Sequence, residues 1–212
     1  TVDGGWFLVN GEDQDMIKEK YEAVWKQIAE RFSDYDEHLI FESMNEEFDN
    51  TYGSDPNKEY YANLNTYNQI FVDTVRASGS KNTHRWLLVP GWNTDVEYTV
   101  GDYGFEMPTD KDCSADESRM MVSVHYYNPW DYCGQEDLKT ILWGDYGLNL
   151  IDTYGFSKMN YPKWGDQTYL DEQFQKLHDK FVANDIPVII GEYGCIDKTS
   201  AYADFSGQLQ GN

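Results

Sequence analysis

The 212-residue chain sets 38 Asp and Glu against 16 Lys and Arg, a formal net charge of −22, and a field of that sign repels phosphate backbones and anionic membranes. Neither nucleic acid nor a membrane is expected as a partner, and the acid excess reads as a solvated surface that keeps an exported protein soluble and that a neutral ligand tolerates. The length suits a single domain with a sizeable core, and 7 Trp, 17 Tyr and 10 Phe supply flat apolar rings with polar edges, suited to a ligand such as a sugar, with apolar faces and many hydroxyls.

Along the chain, Ile17, Tyr21, Val24, Ile28 and Phe32 recur at helical spacing and predict a helix over 13–32, in which Trp25 also packs. The short apolar run from His38 to Phe41, ending in Met44-Asn45-Glu46, predicts a buried strand. Leu64, Tyr67, Phe71 and Val75 mark a second helix closed by Gly79, followed by a strand over 85–89 that Pro90 and Gly91 are expected to end. Met121 to Tyr126 is a third strand, Leu170, Phe174, Leu177 and Phe181 a third helix, and Pro187 to Ile190 a fourth strand. Continuous apolar strands alternating with amphipathic helices imply a parallel α/β sheet covered by helices, either a barrel or an open doubly wound sheet. Two long segments, 93–119 and 128–166, follow strands rather than helices, so they belong to the carboxyl end of the sheet, where parallel architectures keep their active sites.

Three strands end in groups able to do acid/base or polar work: Asn45-Glu46, then His125 with Tyr127, then Glu192. Carboxylates from different strands of one parallel sheet can converge above its rim, and glycoside hydrolysis needs such a pair, roughly 5–5.5 Å apart in the retaining geometry, with no cofactor or metal. No Gly-x-Ser-x-Gly elbow, phosphate loop or dinucleotide fingerprint competes with that reading. Cys113, Cys133 and Cys195 lack Cys-x-x-Cys spacing, which argues against zinc and allows at most one internal disulfide. Asp34-x-Asp36 and Asn10-Gly11-Glu12-Asp13 hint at calcium without the spacing of an EF-hand loop.

The stretches Leu39-Ile40-Phe41-Glu42-Ser43-Met44-Asn45-Glu46, Val124-His125-Tyr126-Tyr127 and Ile189-Ile190-Gly191-Glu192-Tyr193-Gly194 together resemble glycoside hydrolase family 5, most closely its subfamily 4. Asp3-Gly4-Gly5-Trp6, Phe71 to Arg76 and Met107-Pro108-Thr109-Asp110 support the likeness. The resemblance implies a (β/α)8 TIM barrel of which the chain covers roughly the end of strand three through strand seven, as a single partial catalytic domain over 1–212. It implies a retaining endo-β-1,4-glucanase with Glu46 as acid/base, Glu192 as nucleophile and Asn45 on the substrate's 2-hydroxyl. Tyr127 would orient the nucleophile and His125 support the acid/base. Glu46 must be protonated when the leaving oxygen departs while Glu192 is ionised.

Around these, Trp92, Tyr126, Trp130 and Trp6 are expected to stack on pyranose rings, while Trp143 and Trp164 line either the cleft or their own loop. Glu47 is read as a loop carboxylate, Glu42 as inward-pointing and in need of a basic partner, and His38, His84 and His178 as structural or exposed. Strands one and two, most of three and all of eight have no counterpart, and Thr1-Val2 stands where many relatives carry two His. The expected protein is secreted, its signal removed, acts on β-glucan and is a monomer once its barrel is complete. Xyloglucan, lichenan, xylan or mannan are alternative substrates on the same scaffold; a glucan-binding fragment without activity and an acidic structural domain are the readings outside enzymes.

Overall fold

The computed structural model describes residues 5–111, 118–136 and 139–201. Helices and strands alternate as α1 (Gln14–Arg31), β1 (Phe41–Glu42), α2 (Lys58–Ala77), β2 (Leu87–Asp95), α3 (Val96–Val100), β3 (Met120–Tyr126), α4 (Trp130–Cys133), α5 (Gly144–Tyr154), α6 (Gln167–Lys180) and β4 (Val188–Tyr193). The strands form one parallel sheet in the order β1-β2-β3-β4, with Phe41 opposite Leu87 and Glu42 opposite Leu88. Two compact units are distinguishable: residues 1–124 with 177–191, and residues 125–176 with 192–212. No helix among the described residues is long and apolar enough to cross a membrane.

In the first unit, α1 starts where the Asp13 side chain accepts the Met16 N–H at 3.0 Å, filling one of the orphan donors of the first turn. Its buried stripe is Ile17, Tyr21, Trp25 and Ala29, so Trp25 takes the place expected of Val24, which is exposed. The larger ring gains more by burial, and it meets Phe71 at 4.4 Å and Phe41 at 5.7 Å between ring centres. Asn57 caps α2 through the N–H groups of Glu59 and Tyr60, and all four expected core positions, Leu64, Tyr67, Phe71 and Val75, are buried.

β2 does not stop at Pro90-Gly91 but runs on to Asp95. The Leu87 N–H donates to the Arg119 carbonyl just before β3, so alternation turns the position of Pro90 toward β1, whose ladder is nearly finished there, and its missing N–H costs no bond. Gly91 is required for space: a Cβ there would lie 2.2 Å from Thr99 Oγ1 and 2.9 Å from the Tyr61 hydroxyl. Arg76 of α2 and Asp110 form a fully buried pair at 2.9 Å, linking two of the stretches that carried the family resemblance. Glu42 finds a hydroxyl rather than the expected base: Ser123 Oγ donates to its Oε1 at 2.6 Å.

The second unit has a small core of Ile141, Leu142, Leu150, Ile151 and Phe156. The long segment over 128–166 contains the eleven-residue α5, ended by Gly155 in the left-handed conformation. Trp143 belongs to loop packing, its Nε1–H donating to the Gly165 carbonyl at 2.7 Å and its ring stacking on Tyr132. Cys133 and Cys195 are free thiols, and burial pushes that of Cys133 up to about 11; Cys113 lies outside the described residues.

Candidate active site

Glu46 sits just past β1 in the first unit. The β1–β2 ladder ends where the Ser43 N–H donates to the Leu88 carbonyl at 3.0 Å. The chain then turns through Asn45, which is exposed, and Glu46, which is half-buried with φ 47°. Asn93 and Thr94, facing it from β2, also have positive φ, 52° and 51°. Such values in residues with a Cβ cost of order 1–3 kcal/mol each and persist only where the surroundings fix them. The fixing bonds are visible: the Glu46 N–H donates to Thr94 Oγ1 at 3.0 Å, and the Asn93 N–H donates to the Glu47 carbonyl at 2.9 Å.

Glu47 lies in the loop after β1, as expected, but is buried there. It is 2% exposed, its Oε1 accepts the Val9 N–H at 3.3 Å, and burial pushes its carboxyl up to about 7. Its neighbours in sequence, Met44 and Phe48, are buried as well, and that apolar flanking was the one signal for its depth. Nothing in the sequence marked Thr94.

Glu192 sits at the end of β4, in the second unit. Tyr127 Oη donates to Glu192 Oε2 at 2.9 Å, and His125 Nδ1 lies 3.5 Å from the same oxygen. His125 and Tyr127 are two residues apart at the end of β3, hence on one face, which is why both reach one carboxylate on the adjacent strand. His125 is buried, whereas Glu192 remains partly open to solvent.

The aromatic expectations divide. Trp130, on α4, is 60% exposed and meets the Tyr127 ring edge-on at 6.4 Å, so it presents a free face beside the Glu192 cluster. Trp6 is 40% exposed, with the Lys20 ammonium 5.8 Å from its ring centre. Two others are corrections. Trp92 is 2% exposed and packs on Tyr61 at 5.6 Å within the core, because β2 continues past it. Tyr126 points to the opposite face from His125 and Tyr127, is buried, and packs edge-on against Phe174 at 5.5 Å. Trp164 is exposed, against Tyr169.

The acidic runs that hinted at calcium have local duties: Asp13 caps α1, and Asp36 accepts from the backbone and ring of His38, which lower its carboxyl below the usual range.

Acidic side chains delivered by strand ends of a parallel sheet, one of them braced by a tyrosine hydroxyl, are the working parts of glycoside hydrolases. The family model of cellulase (glycosyl hydrolase family 5) matches residues 4–209, and the chain belongs to that family, whose fold is the (β/α)8 barrel. It is 50% identical over 204 residues to endoglucanase A of Paenibacillus barcinonensis, covering 94% of this chain and 49% of that protein. The xyloglucan-specific endo-β-1,4-glucanase BoGH5A of Bacteroides ovatus is 36% identical, over 91% of this chain and 36% of its own length. Among solved structures, the family 5 xyloglucanase of Paenibacillus pabuli in complex with ligand superposes with a TM-score of 0.86 at 52% identity, covering 94% of this chain and 54% of that one. The chain thus spans 36% to 54% of the length of these relatives, and its sheet supplies part of a barrel.

Proposed function

We propose that the complete protein is a retaining endo-β-1,4-glucanase in which Glu46 is the acid/base and Glu192 the nucleophile. The observation that carries the reading is the brace on Glu192: a phenol donating at 2.9 Å to Oε2 holds one carboxylate oxygen and leaves the other to attack. In the first step Glu192 attacks the anomeric carbon while Glu46 gives its proton to the departing glycosidic oxygen. In the second, Glu46 takes a proton from water, which displaces Glu192 from the sugar. In this reading Asn45, exposed beside Glu46, binds the 2-hydroxyl, and Trp130 offers a ring for a pyranose face.

The names of the relatives, endoglucanases and xyloglucanases, favour a β-1,4-glucan backbone and make xyloglucan the first substrate to try. Mannan and xylan test the same scaffold with different aromatic contacts. The deciding experiment is Glu46→Ala in the complete enzyme, assayed on polysaccharide and on aryl glycosides with activated leaving groups. Loss of the base slows the second step, and so kcat, on both substrate classes, but kcat/KM, which reports the first step, is expected to fall by about 10²–10⁴-fold on the polysaccharide and to be largely spared on the aryl substrates, whose leaving groups need no protonation. Equal losses of kcat/KM on both would remove Glu46 from the acid role.

A further inference from the structure

The turn that presents Glu46 is tied on both sides by the residue after it. The backbone carbonyl of Glu47 receives the Asn93 N–H from β2 at 2.9 Å, and its side chain receives the Val9 N–H, from the segment before α1, at 3.3 Å. That segment is itself anchored: Gln14 Nε2 donates to the carbonyls of Leu8, Val9 and Gly11, and Asn63 Nδ2 of α2 to the Val9 carbonyl at 2.9 Å. Tyr21 of α1 and Tyr67 of α2 flank the Glu47 carboxyl. A carboxyl group buried this deeply is costly, and an apolar side chain of its size would fill the space without that cost. Its retention directly beside the strained Glu46 calls for a duty that only a hydrogen-bond acceptor performs.

We propose that Glu47 is a positioning residue for the acid/base: by holding Val9 with its side chain and β2 with its backbone, it fixes the left-handed turn at Glu46 and so aims the Glu46 carboxyl. This rests on Glu46 being the acid/base.

The test uses the complete enzyme with Glu47→Gln, which keeps an acceptor oxygen, and Glu47→Met, which keeps the length and removes it. The Gln variant is expected to retain kcat within about threefold, and the Met variant to lose at least about tenfold in kcat on polysaccharide with KM little changed. Measured as kcat/KM, which reports the first step, that loss should be much smaller on activated aryl glycosides, whose leaving groups need no proton. A packing role alone would instead depress both substrate classes equally, and that outcome, or a Met variant with full kcat, overturns the proposal. If the Met variant does not fold, Val9→Pro deletes the donor while leaving Glu47 in place. It must reproduce the leaving-group-selective loss, and full activity in it counts against the proposal. Glu46→Ala run alongside separates the two levels: if it lacks leaving-group selectivity, the acid/base reading itself falls; if it has that selectivity and the Glu47 variants do not, only the positioning role falls.

Discussion

The two candidate catalytic carboxylates are held by different physics. Glu46 is placed by backbone: a positive φ, an N–H bound to Thr94 Oγ1, and the neighbouring Glu47 carbonyl bound to β2, all set in the unit that holds the larger aromatic core. Glu192 is placed by side chains, with Tyr127 and His125 converging on one of its oxygens in a unit with a small core and a long excursion after β3. A backbone-placed group depends on the strained turn as a whole and on the few side chains, Thr94 and Glu47, that tie that turn. A side-chain-placed group loses its orientation one hydrogen bond at a time.

That contrast can be broken most decisively at Glu192 itself. Glu192→Gln in the complete enzyme removes the attacking oxygen, and turnover of every substrate, activated or not, is expected to fall on the order of 10⁴-fold or more, measured by reducing-sugar and aryl release. Tyr127→Phe sharpens it. Removing one hydrogen bond to a charged group costs roughly 1.5–3 kcal/mol, so kcat/KM should fall by about 10–100-fold, with both substrate classes affected because the nucleophile serves both. An effect on stability rather than on turnover belongs to the other side. Glu47 titrates at about 7 in the fold against 4.5 as a free side chain, so the native state holds its proton more tightly than the unfolded chain. Its contribution to stability is therefore fully present below pH 4.5 and is lost as pH rises to about 7, by up to roughly 3 kcal/mol. Glu47→Gln should flatten that slope in denaturant unfolding measured between these pH values; an unchanged slope would mean the carboxyl does not titrate there.

Much of this was legible in the sequence, and for reasons that can be named. The period of Leu64, Tyr67, Phe71 and Val75 survives in α2 because a helix on a sheet buries one fixed stripe. Asn45-Glu46, His125, Tyr127 and Glu192 could be picked out because strand ends in a parallel sheet are where chemistry sits. What was not legible depended on tertiary context. Pro90-Gly91 reads as punctuation, yet the Pro faces the waning side of the ladder and the Gly makes room for Thr99 and Tyr61. The longer β2 carries Trp92 into the core, so a ring expected to meet sugar meets Tyr61 instead. Tyr126 has the same composition as Tyr127 and sits one residue away, and only the alternation of the strand separates a core ring from one whose hydroxyl meets Glu192. The depth of Glu47 comes from residues 7–11 folding over it, a contact 38 residues distant in sequence that no local pattern reports.

The central claim is that Glu192 becomes covalently bound to sugar and that Glu46 stands across the anomeric carbon from it. It is tested most directly by trapping the complete enzyme with a 2-deoxy-2-fluoro-β-cellobioside carrying an activated leaving group, then mapping the adduct by peptide mass spectrometry and crystallography. The expected result is a single glycosyl ester on Glu192, with the Glu46 carboxyl roughly 5–5.5 Å from that of Glu192 in the unlabelled enzyme. A label on another residue, or carboxyl groups separated by about 6.5–9.5 Å as inversion requires, would contradict it.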